Sequence, residues 1–100
     1  MAKGYWIVRG NVTNPEAYKA YVAANAEAFR KFGARFLARA GKFEVVEGEG
    51  ASRNVVIEFN DYATALACYH SPEYAAAKAL RMGAASINIV VIEGYDGVQP

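Results

Sequence analysis

The stretch that decides the fold runs from residue 5 to residue 33 and reads YWIVRGNVTNPEAYKAYVAANAEAFRKFG. Its start, Tyr5–Val12, is rich in aromatic and β-branched residues and predicts a strand. Asn14 can cap a helix and Pro15 suits the first helical position, so a helix should follow directly. Gly33 tolerates a left-handed backbone and is a typical residue at which such a helix ends. The stretch therefore predicts one strand followed by one long helix.

One face of this helix should pack against a sheet. Its side chains are spaced three or four residues apart, which is the period of a single helical face. The stripe consists of Tyr18, Val22, Asn25, Phe29 and Phe32.

The rest of the chain repeats this alternation of strand and helix. The second helix should break near His70, because Ser71-Pro72 starts a new cap there. The predicted elements are a strand bent at Gly41 over Ala34–Glu49, a strand at Arg53–Phe59, helical segments from Tyr62 to about Tyr69 and from Tyr74 to about Met82, and a strand at Ser86–Tyr95.

This βαββαβ order predicts an α+β fold in which one four-stranded antiparallel sheet carries both helices on one face. The whole chain, residues 1–100, should form one domain. The opposite sheet face would be bare and apolar, and a second copy of the chain is its expected cover. A hydrophobic content of 54% fits such extra apolar surface. We therefore predict a homodimer joined sheet to sheet.

Charge and cysteine content exclude several classes of protein. Charged residues make up 21% of the chain and the net charge is +1, whereas nucleic-acid and membrane-surface proteins need a concentrated basic field. We expect neither nucleic acid nor a membrane as a partner. Cys68 is the only cysteine, so no internal disulfide can form. No signal segment or run of transmembrane length is recognised, and the cytoplasm is the expected location.

Several short motifs together give the chain a family resemblance. They are Gly4-Tyr5-Trp6, Pro15-Glu16-Ala17-Tyr18, Gly33-Ala34-Arg35-Phe36-Leu37 with Arg39, Phe43-Glu44-Val45-Val46-Glu47-Gly48, Val56-Ile57-Glu58-Phe59, Ser71-Pro72-Glu73-Tyr74 and Glu93-Gly94-Tyr95. With these the chain resembles the domain-of-unknown-function 1330 family, within the dimeric α/β-barrel superfamily. The resemblance implies a ferredoxin-like monomer and a sheet-on-sheet dimer, but no activity, because none is assigned to the family. At Asn60-Asp61 the family often has proline and serine, and both versions can cap a helix.

The residues themselves contain no recognised catalytic motif. One histidine and one cysteine do not make the usual zinc site within one chain, and neither a metal nor a cofactor is predicted. Glu58 interrupts an apolar strand face and His70 lies at the helix break, which makes them the candidate catalytic residues. The alternative is that Glu58 belongs to an ion pair at a strand edge or dimer interface and that His70 is an exposed helix-end residue.

The candidate ligand-binding residues are Arg39, Tyr69, Tyr74 and Arg81. Tyr69 and Tyr74 flank the helix break, where their rings would suit a flat aromatic ligand, and Arg81 would suit a ligand carboxylate. As alternatives, the tyrosines would be core residues and Arg81 a partner of the helix dipole. Arg39 and Glu58 both interrupt strand faces, and we expect them to be coupled across neighbouring strands.

The leading hypothesis is a small-molecule enzyme or binding protein with a pocket between sheet and helices for a small aromatic or acidic ligand. As an enzyme it would be a cofactor-free oxygenase or isomerase-like protein, with Glu58 or His70 as the base and an arginine steadying an oxyanion. Superfamily relatives include monooxygenases and muconolactone isomerases, but their activities apply here by analogy alone. The alternative is a non-catalytic dimeric binding or interaction module. A cavity of several hundred Å³ would favour the pocket. Cys68 should be structural, since no basic neighbour would stabilise its thiolate.

Overall fold

The computed structural model describes residues 2–100, and its elements alternate as the sequence predicts. They are β1 (Gly4–Val12), α1 (Pro15–Lys31), β2 (Arg35–Arg39), β3 (Arg53–Phe59), α2 (Tyr62–Tyr69), α3 (Pro72–Ala79) and β4 (Ala85–Glu93). The four strands form one antiparallel sheet in the order β2-β3-β1-β4. The helices pack on one face of this sheet. The predicted ferredoxin-like α+β fold is therefore confirmed.

Each helix begins at a polar side chain that caps it. The caps are Asn14 for α1, Asp61 for α2 and Ser71 for α3, and each side-chain oxygen accepts a hydrogen bond from a backbone N–H three residues on, at 3.2, 2.7 and 3.1 Å. The second predicted helix is two helices, α2 and α3, which separate at His70 and Ser71 as the sequence indicates. None of the helices in residues 2–100 combines the length and the apolar character needed to cross a membrane.

The core lies between the sheet and the helices and centres on Trp6, whose side chain is fully buried. Its Nε1 donates a hydrogen bond to the carbonyl oxygen of Ala65 on α2 at 2.9 Å, which satisfies a polar atom in an apolar setting. Four rings surround the indole at centroid distances between 5.0 and 5.8 Å; they belong to Phe29, Phe59, Tyr69 and Tyr74. This aromatic cluster joins β1 and β3 to all three helices.

Strand β2 differs from its prediction in a way that matters for the site. The sequence predicts a bent strand over Ala34–Glu49, but the strand covers only Arg35–Arg39. A bulge at Leu37 adds one residue to β2 relative to its partner strand β3. The extra residue shifts the alternation of faces, so Arg39 lies on the helix side of the sheet together with Phe36. The Arg39 guanidinium stacks 4.0 Å from the centre of the Phe36 ring.

The face of the sheet opposite the helices, here called the outer face, has no cover within residues 2–100. Alternation along β1 and β4 places Ile7, Val90 and Ile92 on it, and each of these side chains is about half exposed. Residues 41–50 lie outside the sheet and are exposed throughout. An apolar patch of this kind commonly marks an interaction surface.

Candidate functional site

A cleft of about 450 Å³ opens between the C-terminal part of α3 and strand β4, on the helix side of the sheet. Part of its lining is apolar and comes from β4, and part is polar and comes from α2, α3 and the turn after α3. The apolar part includes Ile87, Ile89 and Val91, and the polar part includes Tyr69, Lys78 and Arg81. Small-molecule sites have volumes of about 300–1,000 Å³ and combine an apolar lining with a few polar groups. The cleft has a volume in this range, and its lining is both apolar and polar.

Arg81 is the most buried charged residue of this cleft, with 7% of its surface exposed. Its Nη2 donates to the hydroxyl oxygen of Tyr74 at 3.4 Å, and that hydroxyl shares a 2.7 Å hydrogen bond with the hydroxyl of Tyr21. Burial by itself would lower the pKa of Arg81, but the hydrogen bond to Tyr74 and the nearby Tyr21 outweigh it and raise the pKa. Burial also raises the pKa of Tyr21, with Tyr74 adding to the effect. The cleft therefore holds a charged guanidinium beside the hydroxyl groups of two buried tyrosines.

Lys78 supplies a second positive charge to the cleft. Its Nζ donates a hydrogen bond to the hydroxyl oxygen of Tyr69 at 2.9 Å and lies 5.3 Å from the centre of the Tyr69 ring. Sequence reasoning missed Lys78, although a signal was available. Tyr74, Lys78 and Arg81 are spaced by four and three residues, so the helix predicted from Tyr74 to about Met82 would carry all three on one face.

The structure brings together three of the residues predicted to form the site and leaves the others apart. Tyr69 and Arg81 line the cleft, and Tyr74 is fully buried against Arg81. His70 is exposed at the C-terminal cap of α2 and is not part of the cleft lining. Arg39 contributes instead to a separate cavity of about 20 Å³. Within residues 2–100, no group of three or more His, Cys, Asp or Glu side chains is placed to hold a metal ion.

The expected coupling of Arg39 with Glu58 is wrong. Glu58 lies on the outer face, where one carboxylate oxygen accepts a hydrogen bond from the Tyr5 hydroxyl at 3.1 Å and the other pairs with Arg35 Nη2 at 2.6 Å. Arg35 stands directly opposite Glu58 in the register of β2 and β3, whereas the bulge at Leu37 puts Arg39 on the other side of the sheet. Desolvation and the hydrogen bond to Glu58 raise the pKa of Tyr5.

The carboxylate of Glu58 should therefore be coupled to Arg35. We expect Glu58→Gln and Arg35→Met to show a coupling of about 1 kcal/mol in the free energy of unfolding, a modest value because the Arg35 side chain is 68% exposed. Arg39→Met is the matched control, and its effect should add to that of Glu58→Gln within ~0.3–0.5 kcal/mol. A double-mutant cycle by urea denaturation measures both. Simple additivity for the Arg35 pair would contradict the assignment.

Cys68 is fully buried on α2, beside the backbone of α1. Burial raises the pKa of its thiol to about 12, and the nearby Glu73 adds to the effect. The thiolate, not the thiol, is the nucleophilic form. Cys68 is therefore protonated at neutral pH and suits a structural role.

The buried thiol of Cys68 should make the protein less stable in alkali. The thiol of the unfolded chain loses its proton near pH 8.5–9, whereas that of the native protein keeps it up to about pH 12. Between these values the unfolded state binds fewer protons, so this group lowers the free energy of unfolding by up to about 1.4 kcal/mol per pH unit. Urea denaturation of the wild type and of Cys68→Ala between pH 9 and 11 isolates its share. If the free energy of unfolding falls with pH equally in the wild type and in Cys68→Ala, the prediction is contradicted. Rapid labelling of Cys68 by a thiol reagent in the native protein would also contradict it.

An antiparallel sheet in the order β2-β3-β1-β4 with helices on one face defines a ferredoxin-like protein, and this one has a cleft between α3 and β4. The chain belongs to the Domain of unknown function (DUF1330) family, whose model matches residues 3–95. Among curated proteins, none matches the chain.

Solved structures share the fold at low sequence identity. The RPA0582 protein of unknown function from Rhodopseudomonas palustris has a TM-score of 0.75 at 18% identity, over 99% of this chain and 85% of that one. SnoaB, a cofactor-independent oxygenase from Streptomyces nogalater, has a TM-score of 0.63 at 11% identity, over 100% of both chains. A dimeric ferredoxin-like protein of unknown function from Thermobifida fusca has a TM-score of 0.61 at 13% identity, over 92% of this chain and 91% of that one. At these identities the likeness concerns the fold alone.

Proposed function

We propose that the protein is a small-molecule enzyme or binding protein whose ligand occupies the cleft between α3 and β4. The observation that carries this proposal is the cleft itself, with its volume of about 450 Å³ and its mixed lining. A fully packed space between sheet and helices would have favoured an interaction module instead. Two cationic side chains beside an apolar wall suit a small aromatic or acidic ligand.

If the protein is an enzyme, cofactor-free oxygenation or an isomerase-like proton transfer suits the cleft best. The description of SnoaB as a cofactor-independent oxygenase supports this choice, since that protein has the same fold. Glu58 lies on the opposite side of the sheet and His70 lies outside the cleft, so neither is well placed as the base. We propose instead that the Tyr69 hydroxyl, whose oxygen accepts a hydrogen bond from Lys78, gives its proton to the substrate and then takes a proton back from another position of the substrate. Arg81 would steady an oxyanion that develops on the substrate.

A thermal-shift screen tests the site. The wild type is screened with haem, flavin, quinones and aromatic acids, since a ligand of the native state raises the melting temperature. Ala85→Phe fills the cleft, and Ala20→Phe adds the same ring at an exposed position on α1. We expect the shifts to vanish in Ala85→Phe and to persist in Ala20→Phe. Equal shifts in both variants, or no shift with any compound, would contradict the proposal. Oxygen uptake with the compounds that bind tests the enzyme hypothesis.

We also propose that the protein is a homodimer joined through its outer faces. The half-exposed apolar residues of that face support this assembly, and so does the description of the Thermobifida fusca protein as dimeric. A stable interface of this kind should bury more than ~1,000 Å² in total. A non-catalytic dimeric module, the alternative function, would need this face and not the cleft. The single domain, the cytoplasmic location and the absence of a nucleic-acid partner stay predictions.

A further inference from the structure

We propose that the cleft recognises a carboxylate attached to a flat apolar body, and that Arg81 and Lys78 bind the carboxylate together. This inference rests on the proposed function, because it names the class of ligand for the same cleft.

Arg81 carries a buried charge that forms no ion pair with any acidic side chain in residues 2–100. The ion pairs formed within residues 2–100 are Lys19–Glu16, Lys31–Glu73 and Arg35–Glu58, and none of these residues lines the cleft. Within the same range, the buried Nε of Arg81 has no hydrogen-bond partner. Charged side chains are almost never buried unless they are paired. The cleft therefore contains one half of an ion pair.

The tyrosines beside Arg81 position the guanidinium but do not neutralise it. The Tyr74 hydroxyl lies 3.4 Å from Arg81 Nη2 and also shares a 2.7 Å hydrogen bond with the Tyr21 hydroxyl. The guanidinium also lies 5.2 Å from the centre of the Tyr21 ring, within the range of a cation–π contact. These contacts hold the guanidinium in place, but they provide no negative charge to balance it.

Lys78 strengthens the case for a bound anion. It brings a second cation to the same lining, and the lining described for the cleft contains no Asp or Glu. Like charges in one site disfavour each other, and a shared anion relieves the repulsion. The planar guanidinium matches the geometry of a carboxylate. Ile87, Ile89 and Val91 provide apolar surface for the rest of the molecule, which distinguishes a hydrophobic acid from a small inorganic anion.

Matched acid and amide probes test this inference. Benzoate and 2-naphthoate are compared by calorimetry with benzamide and 2-naphthamide, which keep the shape and lack the charge. We expect the acids to bind the wild type at least tenfold more tightly than the amides. Arg81→Met should abolish this preference while keeping amide binding, Arg81→Lys should keep part of it, and Lys78→Met should weaken it severalfold. Lys19→Met, an exposed control on α1, should change nothing.

The stability of Arg81→Met separates a binding role from a structural one. Replacing an unpaired buried charge by an apolar side chain of similar length should leave the melting temperature of the unliganded protein unchanged or raise it. A melting temperature several degrees below the wild type would make Arg81 a structural partner of Tyr74 and overturn the inference. Equal affinity for acids and amides would also overturn it while leaving the cleft as the proposed site. If neither class binds, the inference and the proposed function fail together.

Discussion

Val90→Asp is expected to convert the protein from a homodimer into monomers. Val90 lies on the outer face, 57% exposed in the single chain, and pairs with Ile7 of the central strand β1. In the proposed dimer the substitution would bury one unpaired carboxylate from each subunit, at a cost of several kcal/mol. Since 1.4 kcal/mol is a tenfold change, the dissociation constant should rise on the order of a thousandfold. Light scattering at micromolar concentration measures the change.

Leu80→Asp is the matched control for the dimer. Leu80 is 47% exposed, but it follows α3 on the opposite side of the sheet. An aspartate at this position should leave the molar mass of the dimer in solution unchanged. A wild type that is already a monomer at micromolar concentration would contradict the assembly, and so would a Val90→Asp protein that stays dimeric.

Trp6→Ala should have the largest effect on folding. The indole is fully buried, contacts four aromatic rings and donates a hydrogen bond to Ala65. Truncation of a buried tryptophan costs about 3–5 kcal/mol, because a cavity remains where the ring was. Domains of this size have a total stability of about 5–15 kcal/mol. We therefore expect a protein close to the limit of stable folding, as followed by circular dichroism in urea.

Trp6→Phe separates the ring from its hydrogen bond. It keeps much of the apolar volume and loses the N–H donor, so it should cost clearly less than Trp6→Ala. Gly4→Ala, two residues away on the same strand, is a comparison in which the backbone and not the ring is disturbed. A Cβ at Gly4 would overlap the carbonyl group of Asp61. Equal losses in Trp6→Ala and Trp6→Phe would show that the hydrogen bond, not the packed ring, dominates the contribution of Trp6.

Much of the fold could be predicted because its determinants are local. Asn14 caps α1, and Ser71 caps α3 at the break that the sequence indicates. The buried stripe of α1 was found in part: Tyr18, Asn25 and Phe29 are buried, as expected. Tyr21 was missed, although it also lies on the buried face.

The candidate site was harder to predict because it depends on nonlocal geometry. One bulged residue in β2 moves Arg39 to the other face of the sheet. No feature of residues 34–39 alone predicts this bulge. The partner of Glu58 was assigned wrongly for the same reason. Lys78 was overlooked for a different reason. Its spacing from Tyr74 and Arg81 could be read from the sequence, but only the structure shows that this part of the chain borders a cleft beside β4.

The position of Trp6 has a practical consequence for optical measurements. It is the only tryptophan in the chain, so its fluorescence comes from one known place. Its ring centre lies 5.8 Å from that of Tyr69, which lines the cleft, so the fluorophore stands one ring away from a bound molecule. An absorbing compound that enters the cleft should quench this emission, and one that binds elsewhere on the surface should do so far less. The wild-type protein thus carries its own reporter of occupancy, and a titration needs no label.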